Sequence, residues 1–139
     1  MAASEYLLKK ARSGFARSSS VCWVAGFDIL YACQDLEHDR QEGLYSIPQS
    51  LGMDAAFRIA RLFHLAVVVL LVVFASLFHF RLAGDIGVIL VAALLLYEHR
   101  LVSPHDLTRL NAAFFTMNGI IASVFFLSVA ADLLLKTPR

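Results

Sequence analysis

The chain is 139 residues long, 59% hydrophobic and 17% charged, and carries a net charge of +1. Soluble domains are about 45–50% apolar and about 25% charged, so this composition is typical of a small, single-domain membrane protein. No basic stripe is present that could neutralise the phosphates of a nucleic acid, which excludes nucleic-acid binding as a function.

The amino-terminal part of the chain is basic, and it lacks the long apolar stretch and cleavage site of a signal peptide. Residues 19–33 then form a short apolar segment, enough for about four helical turns but not for a comfortable membrane span. Its cysteines, Cys22 and Cys33, would share one helical face three turns apart. That is too far for a disulfide, so we expect both to pack as small hydrophobic residues.

Three longer apolar segments follow, at residues 62–80, 86–97 and 111–135. A spanning helix needs about 20 apolar residues, which the second segment reaches only if the stretch 80–84 extends it. Buried helices of a soluble protein are the alternative, but a chain this short cannot hide three of them behind a polar shell. The pattern predicts an all-α, multi-pass transmembrane bundle of three to four helices. Asp132, in the third segment, is expected to reach water at the far interface.

The connections between these segments predict the topology. The connection 34–61 carries three arginines and the loop 98–110 carries two, whereas the link between the first two long segments has only Arg81. The positive-inside rule therefore places both arginine-bearing connections on the cytoplasmic side. Basic residues in the first twenty positions oppose this orientation if the segment 19–33 spans the membrane.

Acidic residues run from inside the first apolar segment into the connection that follows it. If the chain is helical from Asp28 onward, then Asp28, Tyr31, Asp35 and Asp39 lie on one face, at steps of three, four and four residues. Carboxylates at this spacing suit Mg²⁺, which binds one or two carboxylates together with substrate phosphates. A solvated acidic loop with accidental spacing is the alternative.

Two stretches resemble a known family. "WVAGFDILYACQDLEHDRQEGLYSIP" closely resembles the second aspartate-rich motif of the UbiA-type intramembrane prenyltransferases. "LLLYEHRLVSPHDLTRLNAAFFTMNG" is similar to the downstream helix pair of the subgroup that prenylates 4-hydroxybenzoate. The resemblance covers roughly residues 22–135. Members are multi-helix membrane bundles that transfer a polyprenyl chain from its diphosphate to an aromatic acceptor with magnesium, in ubiquinone or menaquinone biosynthesis.

The resemblance implies a role for individual residues. Asp35 and Asp39 match the pair that holds Mg²⁺ against the substrate diphosphate. The positions implied as catalytic are Asp28, Tyr31 and Arg40, and those implied as substrate-binding are Gln34, Glu98, His99 and Asn118. For Glu98 and His99 the alternative is interfacial anchoring, and for Asn118 it is a hydrogen bond between helices.

The family's first motif, an N-D-x-x-D run, is missing from this sequence, which contains no Asn-Asp pair. We therefore expect residues 21–139 to form the carboxy-terminal half of a UbiA-type domain, preceded by a basic segment, 1–20, that is not family-like. Such a half would sit in a bacterial inner membrane, with its acidic motif on the cytoplasmic side, and would need a partner half for activity. The alternatives are an inactive fragment that associates with other membrane helices and an unrelated membrane assembly protein.

Overall fold

Helices form almost all of the secondary structure in this computed structural model, which describes residues 2–136 and the side chains of 5–111 and 115–135. The elements are α1 (Ala2–Ala32), α2 (Leu36–Glu42), α3 (Ile47–Leu51), α4 (Met53–Leu77), α5 (Leu82–Leu101), a π-helical turn (Ala112–Met117) and α6 (Asn118–Lys136). The described residues contain no β-strand, so the predicted all-α class is confirmed. Residue 1, at the start of the expected basic segment 1–20, and residues 137–139, at the end of the expected family-like segment 21–139, lie outside the described range.

Among the residues that the structure describes, three helical segments are long and apolar enough to cross a membrane: Met53–Leu77, Leu82–Leu101 and Phe115–Leu135. They correspond to the three long apolar segments of the sequence. The second reaches 20 residues because the helix begins at Leu82, so part of the stretch 80–84 does extend it. The chain is an integral membrane protein, as its composition predicts.

Helix α1 is longer than the segment 19–33 from which it was expected, and it runs antiparallel along α4. At one end, Arg12 Nη2 donates a 2.7 Å hydrogen bond to the carbonyl of Leu77. Near the other end, the rings of Phe27 and His64 are 4.7 Å apart. The 21 residues from Arg12 to Ala32 rise about 30 Å, the thickness of a bilayer core, so α1 lies beside α4 over the depth of a membrane.

The acidic connection and the loop after α5 meet at one end of the bundle. A buried cluster at this end joins α1, α4 and the residues on either side of the loop; its members are Ile29, Leu30, Cys33, Ala56, Phe57, Ala60, Val102 and Leu110. A second cluster fills the middle of the bundle and includes Phe27, Val67, Val91 and Ile121. The two stretches that carry the family resemblance are therefore held together by apolar packing. This end is called the motif end below.

Asp132 does not reach water at the far interface, as its position in the sequence suggested, but is buried, with 1% of its surface exposed. Its Oδ1 accepts hydrogen bonds from the backbone N–H groups of Arg81, at 2.8 Å, and of Gly84, at 3.2 Å. These groups belong to the amino terminus of α5, where N–H groups lack partners within the helix and a negative charge is favourable. Asp132 thus caps α5 from the neighbouring helix α6.

Replacing this cap should destabilise the bundle. We expect Asp132→Ala to cost about 1–3 kcal/mol, because it removes the acceptor of the buried Gly84 N–H and of the partly buried Arg81 N–H. The measurement is thermal unfolding of the purified protein in detergent. Asp85→Ala is the control, since Asp85 is exposed in the first turn of α5 and contributes only through the helix dipole, about 0.3–1 kcal/mol. Equal losses for the two variants would show that Asp132 is not a specific cap.

Candidate functional site

The acidic motif is divided by a turn. Helix α1 ends at Ala32, where the N–H of Cys33 bonds the carbonyl of Leu30 at 3.2 Å and that of Gln34 bonds Tyr31 at 2.9 Å. These bonds reach back three residues, so they tighten the last turn and redirect the chain. Helix α2 then starts with Asp35 at its N-cap position. The expectation of one continuous helical face from Asp28 to Asp39 is therefore wrong.

The residues implied as functional differ in exposure. Asp28, Tyr31, Gln34, Asp35 and Arg40 are exposed, whereas Asp39 is buried, with 9% of its surface accessible. The described partner of Arg40 is the exposed carboxylate of Glu37, 4.0 Å away and one helical turn earlier. Such a surface pair contributes little to stability, so the guanidinium of Arg40 can turn to another anion at small cost.

The two carboxylates implied as magnesium ligands lie one turn apart, Asp35 at the N-cap of α2 and Asp39 within it. The N–H of Asp39 bonds the carbonyl of Asp35 at 2.8 Å, which closes this turn. Among the side chains of 5–111 and 115–135, no three His, Cys, Asp or Glu groups come together to hold a metal ion. Because Mg²⁺ uses one or two carboxylates and takes its other ligands from water and phosphate, Asp35 and Asp39 fit part of a magnesium site.

A cleft of about 400 Å³ opens between α1 and α6. Its lining includes Asp28 and Asn118, set among apolar residues such as Trp23, Val24 and Phe27. Two of the residues predicted from the sequence are thus brought together, although 90 positions separate them in the chain. Asp28 lies about one turn along α1 from Tyr31, so the cleft adjoins the acidic motif. We refer to it as the α1–α6 cleft.

Glu98 and His99 do not line the α1–α6 cleft. Glu98 is buried, with 1% of its surface exposed, and its Oε2 has no hydrogen-bond partner among the described residues. The alternative of interfacial anchoring is therefore wrong for Glu98. His99 is half-buried, and its Nε2 lies 2.9 Å from Nδ1 of His64. This pair links α5 to α4.

His64 belongs to no motif of the sequence, yet it has a defined place in the structure. It is buried against Phe27 and His99, and a Cβ atom at Gly26 of α1 would collide with its ring. The sequence signal that could have indicated His64 is a histidine within the otherwise uncharged apolar segment of α4, together with a second histidine, His99, in the next helix. Polar residues inside a membrane span are uncommon and usually face a partner, which is what the pair shows.

The loop between α5 and α6 is ordered by local hydrogen bonds. The Thr108 hydroxyl donates to Asp106 Oδ1 at 2.6 Å, and the Thr108 N–H donates to the same oxygen at 3.0 Å. These bonds stabilise the charged carboxylate, so the Thr108 hydroxyl and then its N–H lower the pKa of Asp106 below its ordinary value. Asp106 is exposed, as is His105, so the two residues belong to a solvated turn that joins the two helices.

The two cysteines are free thiols, and we predict that they react at different rates. Burial raises the pKa of the Cys33 thiol to about 11, so at pH 8 only about one thiol in a thousand is the reactive thiolate. Maleimide applied to the folded protein at pH 8 should label half-buried Cys22 and spare Cys33, and mass spectrometry of peptides measures this. Equal labelling of the two sites before unfolding would contradict the burial of Cys33.

Comparison with known proteins gives one match. The model of the UbiA prenyltransferase family matches residues 16–128, which include both of the stretches described above. Searches of curated proteins and of solved structures give no significant match. The matched range contains the acidic motif, the α1–α6 cleft and the loop after α5.

Proposed function

The chain belongs to the UbiA prenyltransferase family, and from this premise we propose that it supplies the second aspartate-rich motif of a magnesium-dependent aromatic prenyltransferase. The reaction is transfer of a polyprenyl group from its diphosphate to an aromatic acceptor such as 4-hydroxybenzoate, a step of ubiquinone or menaquinone synthesis. The observation that carries the proposal is that the family-matched range holds both the Asp35 and Asp39 pair, at the start of α2, and an apolar cleft lined by Asp28 and Asn118.

The role proposed for each residue follows from the chemistry of its side chain. Asp35 and Asp39 would hold Mg²⁺, which when bound neutralises the charge of the leaving diphosphate. The hydroxyl of Tyr31 and the guanidinium of Arg40 are hydrogen-bond donors for the diphosphate oxygens, and the Gln34 amide is a further donor. Apolar walls of the cleft keep water away from the allylic carbon while its bond to oxygen breaks.

The acceptor ring completes the exchange of bonds. Its carbon ortho to the hydroxyl forms the new bond to the prenyl carbon, and the hydrogen on that ring carbon leaves as a proton. Asp28 is the carboxylate of the cleft that can accept this proton, and the Asn118 amide can bind the acceptor through hydrogen bonds. Glu98 and His99, which lie away from the cleft, would influence the acceptor only through the packing of α5.

A second polypeptide segment is part of this proposal. An acid inside a membrane segment costs about 2.5–3.5 kcal/mol on insertion scales and normally faces protein or a polar cavity. Asp28 and Tyr31 are exposed on α1 in this chain, so further helices are expected to cover them. A segment with an N-D-x-x-D motif, of the kind that the family resemblance implies, would supply both the covering helices and the missing magnesium ligands.

The experiment is prenyl transfer by a complemented enzyme. This chain is reconstituted in vesicles with the amino-terminal half of a full-length family member, and labelled 4-hydroxybenzoate and a polyprenyl diphosphate are added with Mg²⁺ or with EDTA. We expect product only when both halves and Mg²⁺ are present. Each half alone is the control. A pair that assembles with correct folding and yields no product would overturn the proposal.

Non-enzymatic association with other membrane helices is the second candidate function. It is favoured by the incomplete metal site, since the described side chains provide no group of three metal ligands. The same assay separates the two: this chain would then co-purify with the amino-terminal half, and neither Mg²⁺ nor acceptor would produce turnover.

We further propose that the motif end faces the cytoplasm of a bacterial cell. Arginines in the connection 34–61 and the loop 98–110 support this orientation, and Lys9, Lys10 and Arg12 at the other end oppose it. A cysteine introduced at Tyr45, which is 95% exposed, reports the side directly. In a variant without other cysteines, an impermeant maleimide should label it in inverted inner-membrane vesicles. Labelling in right-side-out vesicles would reverse the orientation.

A further inference from the structure

A second groove lies between α4 and α5, on helices that do not form the α1–α6 cleft. It has a volume of about 520 Å³ and is lined by Arg61, His64, Leu65 and Val68 of α4 and by Ala92, Leu95, Leu96, His99 and Arg100 of α5. The α1–α6 cleft and this groove share no lining residue. We call it the α4–α5 groove.

The groove is amphipathic along its length. Arg61 and Arg100 lie toward the motif end, because α4 starts there and α5 ends there. Leu65 and Leu96 follow, and Val68 and Ala92 lie deepest in the span. Leu65 and Leu96 are 59% and 57% exposed on two membrane-spanning helices, so both side chains are open to contact with hydrocarbon. One end of the groove is therefore cationic and interfacial, and the rest is apolar and open to lipid.

The cationic end is available to a ligand. Neither Arg61 nor Arg100 has a hydrogen bond or ion pair with another described residue, and both are exposed. Beneath them lies the bonded pair of His64 and His99, whose ring nitrogens Nδ1 and Nε2 are 2.9 Å apart. No carboxylate lines the groove.

From this arrangement we propose that the α4–α5 groove binds an anionic phospholipid, with the phosphate between Arg61 and Arg100 and an acyl chain along Leu65, Leu96 and Val68. Charge complementarity selects this occupant, since guanidinium groups at a membrane interface attract anionic headgroups and basic pockets between spanning helices bind them. A neutral lipid would leave both guanidinium groups uncompensated, and a soluble anion would leave the apolar part unfilled. The inference depends on membrane insertion and not on the proposed enzymatic activity.

The test is native mass spectrometry of the full-length chain, delipidated in detergent and mixed with phosphatidylglycerol or with phosphatidylcholine of the same acyl chains. At about fivefold for each arginine near the interface, we expect phosphatidylglycerol to bind about 25-fold better than phosphatidylcholine. Arg61→Gln/Arg100→Gln should bring the two lipids to similar binding. Retained preference in that variant would overturn the proposal.

The matched control removes two other arginines from the same end of the bundle. Arg58 and Arg109 are exposed and do not line the groove, so Arg58→Gln/Arg109→Gln should keep the preference for phosphatidylglycerol. An equal loss of this preference in the control would show that the general positive charge of the surface attracts the lipid, and that the groove is not a specific site. Ala92→Phe fills the groove without changing charge, and it should reduce binding of both lipids, with circular dichroism verifying the fold.

A competition experiment identifies which phosphate-bearing molecule the groove binds. Glycerol phosphate, the free headgroup, should not displace the bound lipid, because it cannot fill the apolar part. A polyprenyl diphosphate should not displace it either, because the proposed function assigns that substrate to the acidic motif and the α1–α6 cleft, which share no residue with this groove. Displacement by the diphosphate that disappears in Arg61→Gln/Arg100→Gln would show that the groove belongs to the substrate, and the proposal of a phospholipid site would be wrong.

Discussion

Neutralising both carboxylates of the acidic motif, as Asp35→Asn/Asp39→Asn, should reduce prenyl transfer by the complemented enzyme by about a thousandfold or more. Removing one group that stabilises developing charge typically costs 10²–10³ in rate, and this variant removes both protein ligands that the chain offers to Mg²⁺. Asparagine has nearly the shape of aspartate, so it fits the buried position 39 without a change in packing. Initial rates at several magnesium concentrations measure the effect.

The control for this prediction changes the same charge on the same helix. Glu37 and Glu42 belong to α2, are exposed, and lie outside the proposed ligand pair. Glu37→Gln/Glu42→Gln should therefore keep activity within a few-fold of the unaltered chain and leave its magnesium dependence unchanged. Similar losses in the two double variants would indicate that net negative charge on α2 matters and that Asp35 and Asp39 have no specific role.

The two single variants, Asp35→Asn and Asp39→Asn, test which carboxylate contributes more to the reaction. Asp35 precedes α2 and is exposed, whereas Asp39 is held within the helix and is buried. A position that is already fixed loses less conformational entropy when it binds a ligand. We therefore expect Asp39→Asn to lose more activity than Asp35→Asn.

The sequence predicted the helices well where their signal was local. Apolar segments of sufficient length became α4, α5 and α6, because a long apolar run has few alternatives to a spanning helix. The limits of α1 were missed, since residues 2–18 mix polar and apolar residues without a long apolar run, and their helix is held by contacts with α4, such as the hydrogen bond from Arg12 to Leu77. Sequence periodicity carries no information about such a partner.

The backbone geometry of the candidate site could be predicted only in part. Asp35 and Asp39 do lie one helical turn apart, yet the turn at 33–35 depends on backbone hydrogen bonds that reach back three residues, which helical periodicity does not predict. Tertiary contacts determine that Glu98, Asp132 and His64 are buried. A buried carboxyl and an exposed one look identical in the sequence, because burial is a property of the neighbouring helices.

Helices α5 and α6 approach each other closely at Gly87 and Ser128, and we call this contact line the α5–α6 seam. A Cβ atom at Gly87 would collide with Cβ of Ser128 and lie 2.6 Å from its Oγ. The obstructing Cβ is fixed to the α6 backbone, and the hydroxyl of Ser128 is bonded to the carbonyl of Val124 at 2.7 Å. Small residues allow membrane helices to approach closely, so at this point α5 and α6 pack backbone against backbone. One turn away, Asp132 caps α5 across the same seam.

Gly87→Ala should therefore destabilise the protein by about 1–3 kcal/mol, because the two helices must move apart to admit one methyl group. Gly14→Ala is the matched control: no atom lies within 4 Å of a Cβ at Gly14, so the same change should be neutral or stabilise α1 through helix propensity. Removing the opposing atom in Gly87→Ala/Ser128→Gly should restore part of the loss, and a double-mutant cycle of unfolding in detergent measures the coupling. If Gly87→Ala unfolds at the temperature of the unaltered chain, α5 and α6 do not meet at this seam, and Asp132 of α6 does not cap α5 across it.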